Sequence, residues 1–68
     1  MTTVDARGYS CPEPVIMLRK AMASKEAAYT VLVDNAASRE NVTRYAEHAG
    51  YSVCVSENSG EYTLALKK

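Results

Sequence analysis

Residues 51–66 read Tyr-Ser-Val-Cys-Val-Ser-Glu-Asn-Ser-Gly-Glu-Tyr-Thr-Leu-Ala-Leu. Tyr51, Val53 and Val55 alternate with Ser52, Cys54 and Ser56, the period of a strand with one face toward a core. Tyr62, Leu64 and Leu66 repeat that spacing on the far side of Asn58-Ser59-Gly60, a three-residue hairpin signal with Gly60 at the left-handed position. The chain therefore closes on an antiparallel hairpin, Tyr51–Glu57 and Glu61–Lys68. Gly50, just before it, suits the C′ position that stops a helix. Upstream, Val42, Tyr45, Ala46 and Ala49 form an apolar helical stripe, with N-cap candidates in Asn35-Ala36-Ala37-Ser38.

Further back, Tyr29–Asp34 is dense in β-branched residues and reads as a strand. Pro12 to about Ser24 carries Val15, Leu18 and Met22 at helical spacing, and Thr2–Ala6 is a short β-prone segment. The order βαβαββ predicts an α+β fold: a two-layer α/β sandwich in which both helices cover one face of a four-stranded mixed sheet. Right-handed crossovers keep both helices together only if successive parallel steps run the same way. The strand order 1-2-4-3 follows if the last strand inserts in the middle; a hairpin could equally leave it at the edge. Either way two helices cover one side only, leaving Leu32 or its neighbours, Cys54 and Ala65 on the other.

Sixty-eight residues suffice for one domain spanning 1–68, with no repeat or linker. Eight Lys and Arg offset eight Asp and Glu without a basic block, so nucleic-acid binding has no electrostatic footprint. One His and two distant Cys are too few soft ligands for a closed metal site, and nothing in the sequence implies a cofactor. No apolar run is long enough to span a bilayer and no signal-peptide pattern opens the chain, which makes cytoplasmic residence with reduced thiols the expectation. Most enzyme chemistries are excluded by absence, and a thiol remains.

That thiol is Cys11, in Arg7-Gly8-Tyr9-Ser10-Cys11-Pro12-Glu13-Pro14. If the helix begins at Pro12, Cys11 is its N-cap. Proline is well placed at a first helical position, and Pro14 costs little because the first four N–H groups lack intrahelical partners. Gly8 lets the preceding loop turn sharply. A thiol in that place meets the positive end of the helix and can accept the N–H of Glu13. The dipole contributes ~0.3–1 kcal/mol, or roughly 0.2–0.7 of a pKa unit. The Glu13 carboxylate opposes it, and Arg7 or Arg19 could offset Glu13 by folding back. The position of a second cysteine in a dithiol motif is occupied by Pro14, so Cys11 has no local resolving partner. A lone thiol of moderately lowered pKa suits sulfur exchange and carriage.

Val4-Asp5-Ala6, Gly8, Cys11-Pro12-Glu13-Pro14-Val15 and Arg19-Lys20 together resemble the TusA/SirA family of small sulfur carriers. Val33 to Val42 is similar to the YedF-like branch, linked by name to selenium metabolism. The resemblance implies a sulfurtransferase-type relay in which Cys11 takes sulfane sulfur as a persulfide. The donor would be a cysteine desulfurase or rhodanese-like protein, and a second protein would be the acceptor. YedF-like chains often continue into a DsrE-like domain. The connection Ser24–Ala28 lacks the Pro-Gly often seen in the family.

Two other functions fit the same residues: a non-catalytic interaction or regulatory domain, and a redox-sensing thiol protein. Glu13 reads equally as an ordinary acidic first turn. Cys54 reads as a small residue on a half-buried strand, and His48 as a cation suited to a helix C-terminus. Arg39 and Arg44, five apart, are a solvated face or, with Arg19, candidates for partner docking.

Overall fold

The computed structural model describes residues 2–10 and 12–68. In it β1 (Thr2–Asp5), α1 (Glu13–Ala21), β2 (Ala28–Val33), α2 (Ala36–His48), β3 (Ser52–Asn58) and β4 (Glu61–Lys67) follow one another, with a single 3₁₀ turn (Met22–Ser24) extending α1. The sheet order is β1-β2-β4-β3. β1 and β2 are parallel, and β4 is antiparallel to both β2 and β3. The hairpin thus folds its last strand inward, and β4 becomes a central strand.

Alternation along each strand sorts the side chains into two layers. Val4, Val31 and Leu64 stand in one row across the sheet, and Tyr29, Leu66 and Val53 in the next. These rows meet Leu18 of α1 and Val42 and Ala46 of α2 in one core, so both helices lie on the same face. Burying one such leucine stabilises the fold by ~1.5–3 kcal/mol. The opposite face carries Thr3, Thr30, Ala65 and Cys54 in register, with Ala65 and Cys54 exposed and Leu32 half-buried. Val55 departs from the expected pattern. It shares the helix-side row yet is 44% exposed, because it sits on an edge strand beside the polar flank of α2 (Arg39, Glu40, Thr43, Arg44, Glu47), with a shallow depression between them.

Local chemistry sets the ends of α2. Asn35 is the N-cap, its Oδ1 accepting the Ser38 N–H at 2.8 Å. At the other end Gly50 has φ +94 and donates to the Glu47 carbonyl, while Tyr51 N–H reaches back to Ala46, the paired bonds of a Schellman stop. The hairpin turn is tighter than expected. Asn58 and Glu61 are the last pair, so only Ser59 and Gly60 form the loop, both at positive φ. Two left-handed residues give the turn a twist that matches the strands, which a three-residue loop would achieve only with a bulge.

α1 also begins one residue later than the sequence suggested. The Pro12 carbonyl accepts the first helical bond, from Ile16 N–H at 3.1 Å, which makes Pro12 the N-cap. Glu13 N–H donates to the Ser10 carbonyl at 2.9 Å, tying Pro12 into the turn that precedes the helix. That N–H is therefore not available to a thiol. Pro14 is buried in the first turn, where its missing N–H leaves nothing unpaired.

Candidate functional site

The segment leading to the Cys11-Pro12-Glu13-Pro14 motif leaves the C-terminal end of β1, beside the end of β2 where α2 begins. Open α/β sheets characteristically place sites outside the carboxyl ends of parallel strands. Cys11 itself lies outside the described residues, and the site is built from what flanks it. Ala6 N–H donates to the Leu32 carbonyl at 2.8 Å, carrying the β1–β2 ladder one residue past β1. The chain then turns at Gly8, as anticipated, with a φ of +85 in the left-handed region. Gly8 N–H donates to Asp34 Oδ2 at 2.7 Å. Sequence reading did not single out Asp34. Its signal was its place at the end of the strand next to β1, in the crevice where a carboxylate can reach the neighbouring loop.

Arg7 does not fold back toward Glu13. Its guanidinium holds the Asp5 carboxylate through Nη2 at 2.8 Å and Nε at 2.9 Å, and it reaches Glu61 at 3.3 Å. Those hydrogen bonds hold the Asp5 carboxyl down at about 2, against an ordinary 3.8, and raise the Arg7 pKa further. All three groups are exposed, so the cluster positions the loop more than it stabilises the fold.

Between the helices runs a groove lined by Pro12, Val15, Asn41, Arg44, Tyr45 and His48. It starts at the residue that follows Cys11 and carries two basic side chains and no carboxylate. Arg44 also flanks the depression beside Val55, together with Arg39. The two arginines thus do share a surface despite their five-residue spacing. Arg39 lies with its Cζ 5.0 Å from the Tyr62 ring centroid and pairs with Glu40 at 3.5 Å. Arg19 is not brought to the groove; it is exposed in the last turn of α1, where a cation complements the helix dipole. Glu13 is exposed in the first turn, which suits its acidic charge.

Ser38, in the first turn of α2, is 1% exposed, and its Oγ has no hydrogen-bond partner among the described residues. Cys54 is a free and exposed thiol, more accessible than a half-buried strand position would be. It borders a shallow depression on the open face, with Ala65 and Lys67. Among the described residues no three His, Cys, Asp or Glu side chains gather as metal ligands, and no helix is long and apolar enough to cross a membrane.

Comparison with known proteins places this geometry. The profile of the family described as "Sulfurtransferase TusA" matches residues 2–68. A protein of Methanocaldococcus jannaschii named "Putative sulfur carrier protein" is 31% identical over all of this chain and 95% of its own length. The crystal structure of a SirA-like protein from Desulfitobacterium hafniense superposes with a TM-score of 0.87 at 41% identity, covering 98% of this chain and 96% of the other. The same two helices over a four-stranded mixed sheet, matched along nearly the whole sequence, make this chain a member of the sulfurtransferase TusA family.

Proposed function

We propose that the protein is a sulfur-relay carrier that accepts sulfane sulfur on Cys11 as a persulfide and passes it to an acceptor protein. The observation that carries this reading is the Cys11-Pro12-Glu13-Pro14 run at the start of α1, in a chain that belongs to the TusA family throughout residues 2–68. In the loading step the Cys11 thiolate attacks the outer sulfur of a donor persulfide. A new S–S bond forms on Cys11, the donor S–S bond breaks, and the donor leaves as a thiolate. No external oxidant or reductant is needed. Delivery is the same exchange in reverse sense, with an acceptor thiolate attacking the outer sulfur. Pro14 in place of a second cysteine supports carriage, since no neighbouring thiol discharges the persulfide.

The donor is a cysteine desulfurase or a rhodanese-like protein in the cytoplasm. The groove, with Arg44 and His48 on its rim, offers donor and acceptor a surface that begins at Pro12, the residue after Cys11 in the sequence. The YedF-like character of residues 33–42 would extend the relay to selenium, or to a DsrE-like domain as neighbour.

The test is intact-protein mass spectrometry after incubation with a cysteine desulfurase and cysteine. The expected result is a gain of one sulfur that Cys11→Ser abolishes and Cys54→Ser leaves intact. The Cys54 control matters because that thiol is exposed. Loss of loading in a folded Cys54→Ser variant would replace the single-thiol relay with a dithiol mechanism. Rapid sulfenic acid formation with peroxide, and no donor-dependent gain, would favour a redox sensor.

A further inference from the structure

The segment that delivers the chain to Cys11 has few anchors of its own. Tyr9 N–H reaches the Ala6 carbonyl only at 3.3 Å, and Arg7 is engaged by the exposed carboxylates of Asp5 and Glu61. The shortest bond onto the rest of the fold from this turn is Gly8 N–H to Asp34 Oδ2, at 2.7 Å. An N–H donating to an ionised carboxylate belongs to the stronger class of hydrogen bonds. The geometry at Gly8 is particular to this purpose. Its φ of +85 points the N–H across to β2's end, while a Cβ there would meet no atom within 4 Å, so backbone conformation and not crowding requires glycine.

Asp34 is itself held from the other side. The Asn35 Oδ1 is committed to the Ser38 N–H as the cap of α2, which turns the Asn35 amide nitrogen to Asp34 Oδ1 at 3.2 Å. Both carboxylate oxygens are thus used: one on the loop ahead of Cys11, one on the residue that starts α2. We infer that Asp34 is a positioning residue for the Cys11 loop, a carboxylate clamp that fixes Gly8 against the N-terminus of α2. This inference rests on the reading of Cys11 as the sulfur-bearing residue. Asp34 is exposed, so its contribution to global stability is small; its effect falls on the conformation of the segment three residues ahead of the thiol.

The experiment uses the full chain in a Cys54→Ser background, so that Cys11 is the only thiol. Three quantities are read for the parent, Asp34→Ala and Asp34→Asn: donor-dependent sulfur loading, the pH profile of Cys11 alkylation by iodoacetamide, and hydrogen exchange at the Gly8 amide. Asp34→Ala is expected to accelerate Gly8 exchange and slow loading by about tenfold, the scale of one lost hydrogen bond to a charged group. Thermal midpoint should stay within a few degrees. Asp34→Asn keeps an acceptor oxygen and should recover most of the loading rate. Its Gly8 exchange should stay close to the parent's, since the acceptor is kept.

Parent rates of loading and alkylation in a folded Asp34→Ala variant would overturn the inference, and so would an Asp34→Asn variant as slow as the alanine. If Asp34→Ala does not fold, Asn35→Ser decides. It keeps a helix cap but loses the bond to Asp34, and should give a smaller slowing in the same direction; parent behaviour there would again overturn the clamp. A parent protein that never gains sulfur would refute the carrier reading alone, because alkylation and Gly8 exchange still report the clamp.

Discussion

The two ends of the sheet are fastened by different chemistry. At the end opposite the motif, the short connection between α1 and β2 is pinned from inside the fold. Tyr29, fully buried, takes the Glu26 N–H on its hydroxyl at 2.9 Å and lies 3.1 Å from Ser24 Oγ. Tyr51 donates its hydroxyl to the Glu26 carbonyl at 2.7 Å, and the two rings meet edge to face at 5.7 Å. The Thr2 hydroxyl holds the Glu26 carboxylate and lowers its pKa, while burial raises that of Tyr51. At the motif end the corresponding bonds are made by exposed groups: Arg7 with Asp5 and Glu61, Gly8 with Asp34. The proposed relay, in which another protein's sulfur approaches the thiol, needs an open end, and buried phenols would wall it in. The part-buried tyrosine hydrogen bonds are concentrated at the other end.

This contrast is broken most directly at Tyr29. Tyr29→Phe removes the acceptor for the Glu26 N–H and should lower stability by ~1–3 kcal/mol in urea unfolding, with sulfur loading unchanged. A loss below ~0.5 kcal/mol would mean that the phenol is not what pins this end. At the motif end, Ser38→Ala removes a buried hydroxyl that has no partner among the described residues. Stability should hold or rise, by up to ~1 kcal/mol; a clear loss would show that the hydroxyl is paired and that this end, too, is fastened internally.

The smallest effect is the pH dependence of the Arg7–Asp5 pair. The Asp5 carboxyl is held at about 2 in the fold against an ordinary 3.8. Because its folded pKa is depressed, its contribution is present above pH ~4 and is lost as pH falls toward ~2. Thermal midpoints of the parent and of Arg7→Ala should converge over that window and run parallel above it. Converging curves near neutral pH instead would assign the difference to another group.

Most of the framework was legible because it rests on period and punctuation. The alternation of Tyr62, Leu64 and Leu66, the Asn35 cap and the Gly50 stop are local signals, and each appears where the residues place it. The insertion of β4 between β2 and β3 was legible only as one of two options, since a hairpin does not state which of its strands turns inward. Positions governed by partners distant in sequence were harder. Val55 alternates correctly, yet the flank of α2 that lines the depression beside it is polar. Lys25, at φ +54, occupies the left-handed place where glycine is usual, so the end of the first helix carried no glycine signal. The site was legible as a motif and less so as a neighbourhood. Gly8 was singled out for its turn, but Asp34, the group it binds, was read as the end of a strand and as part of the YedF-like stretch, not as a partner of the loop. Arg7, read as a potential neighbour of Glu13, is held by carboxylates from β1 and β4.

The position of β4 also governs the order in which the protein can assemble. While a nascent chain is still short of residue 61, β2 and β3 have all their residues, but the strand that separates them does not yet exist. Both then present unpaired inner edges, and α2 has only part of the surface it packs upon. Such edges template pairing with other chains, so a copy cut short before residue 61 would be exposed to mispairing. β4 acts as the keystone of the sheet: until residues 61–67 are present, β1–β2 and β3 remain unjoined pieces. A copy lacking residues 61–67 would therefore carry an open slot in the middle of the sheet.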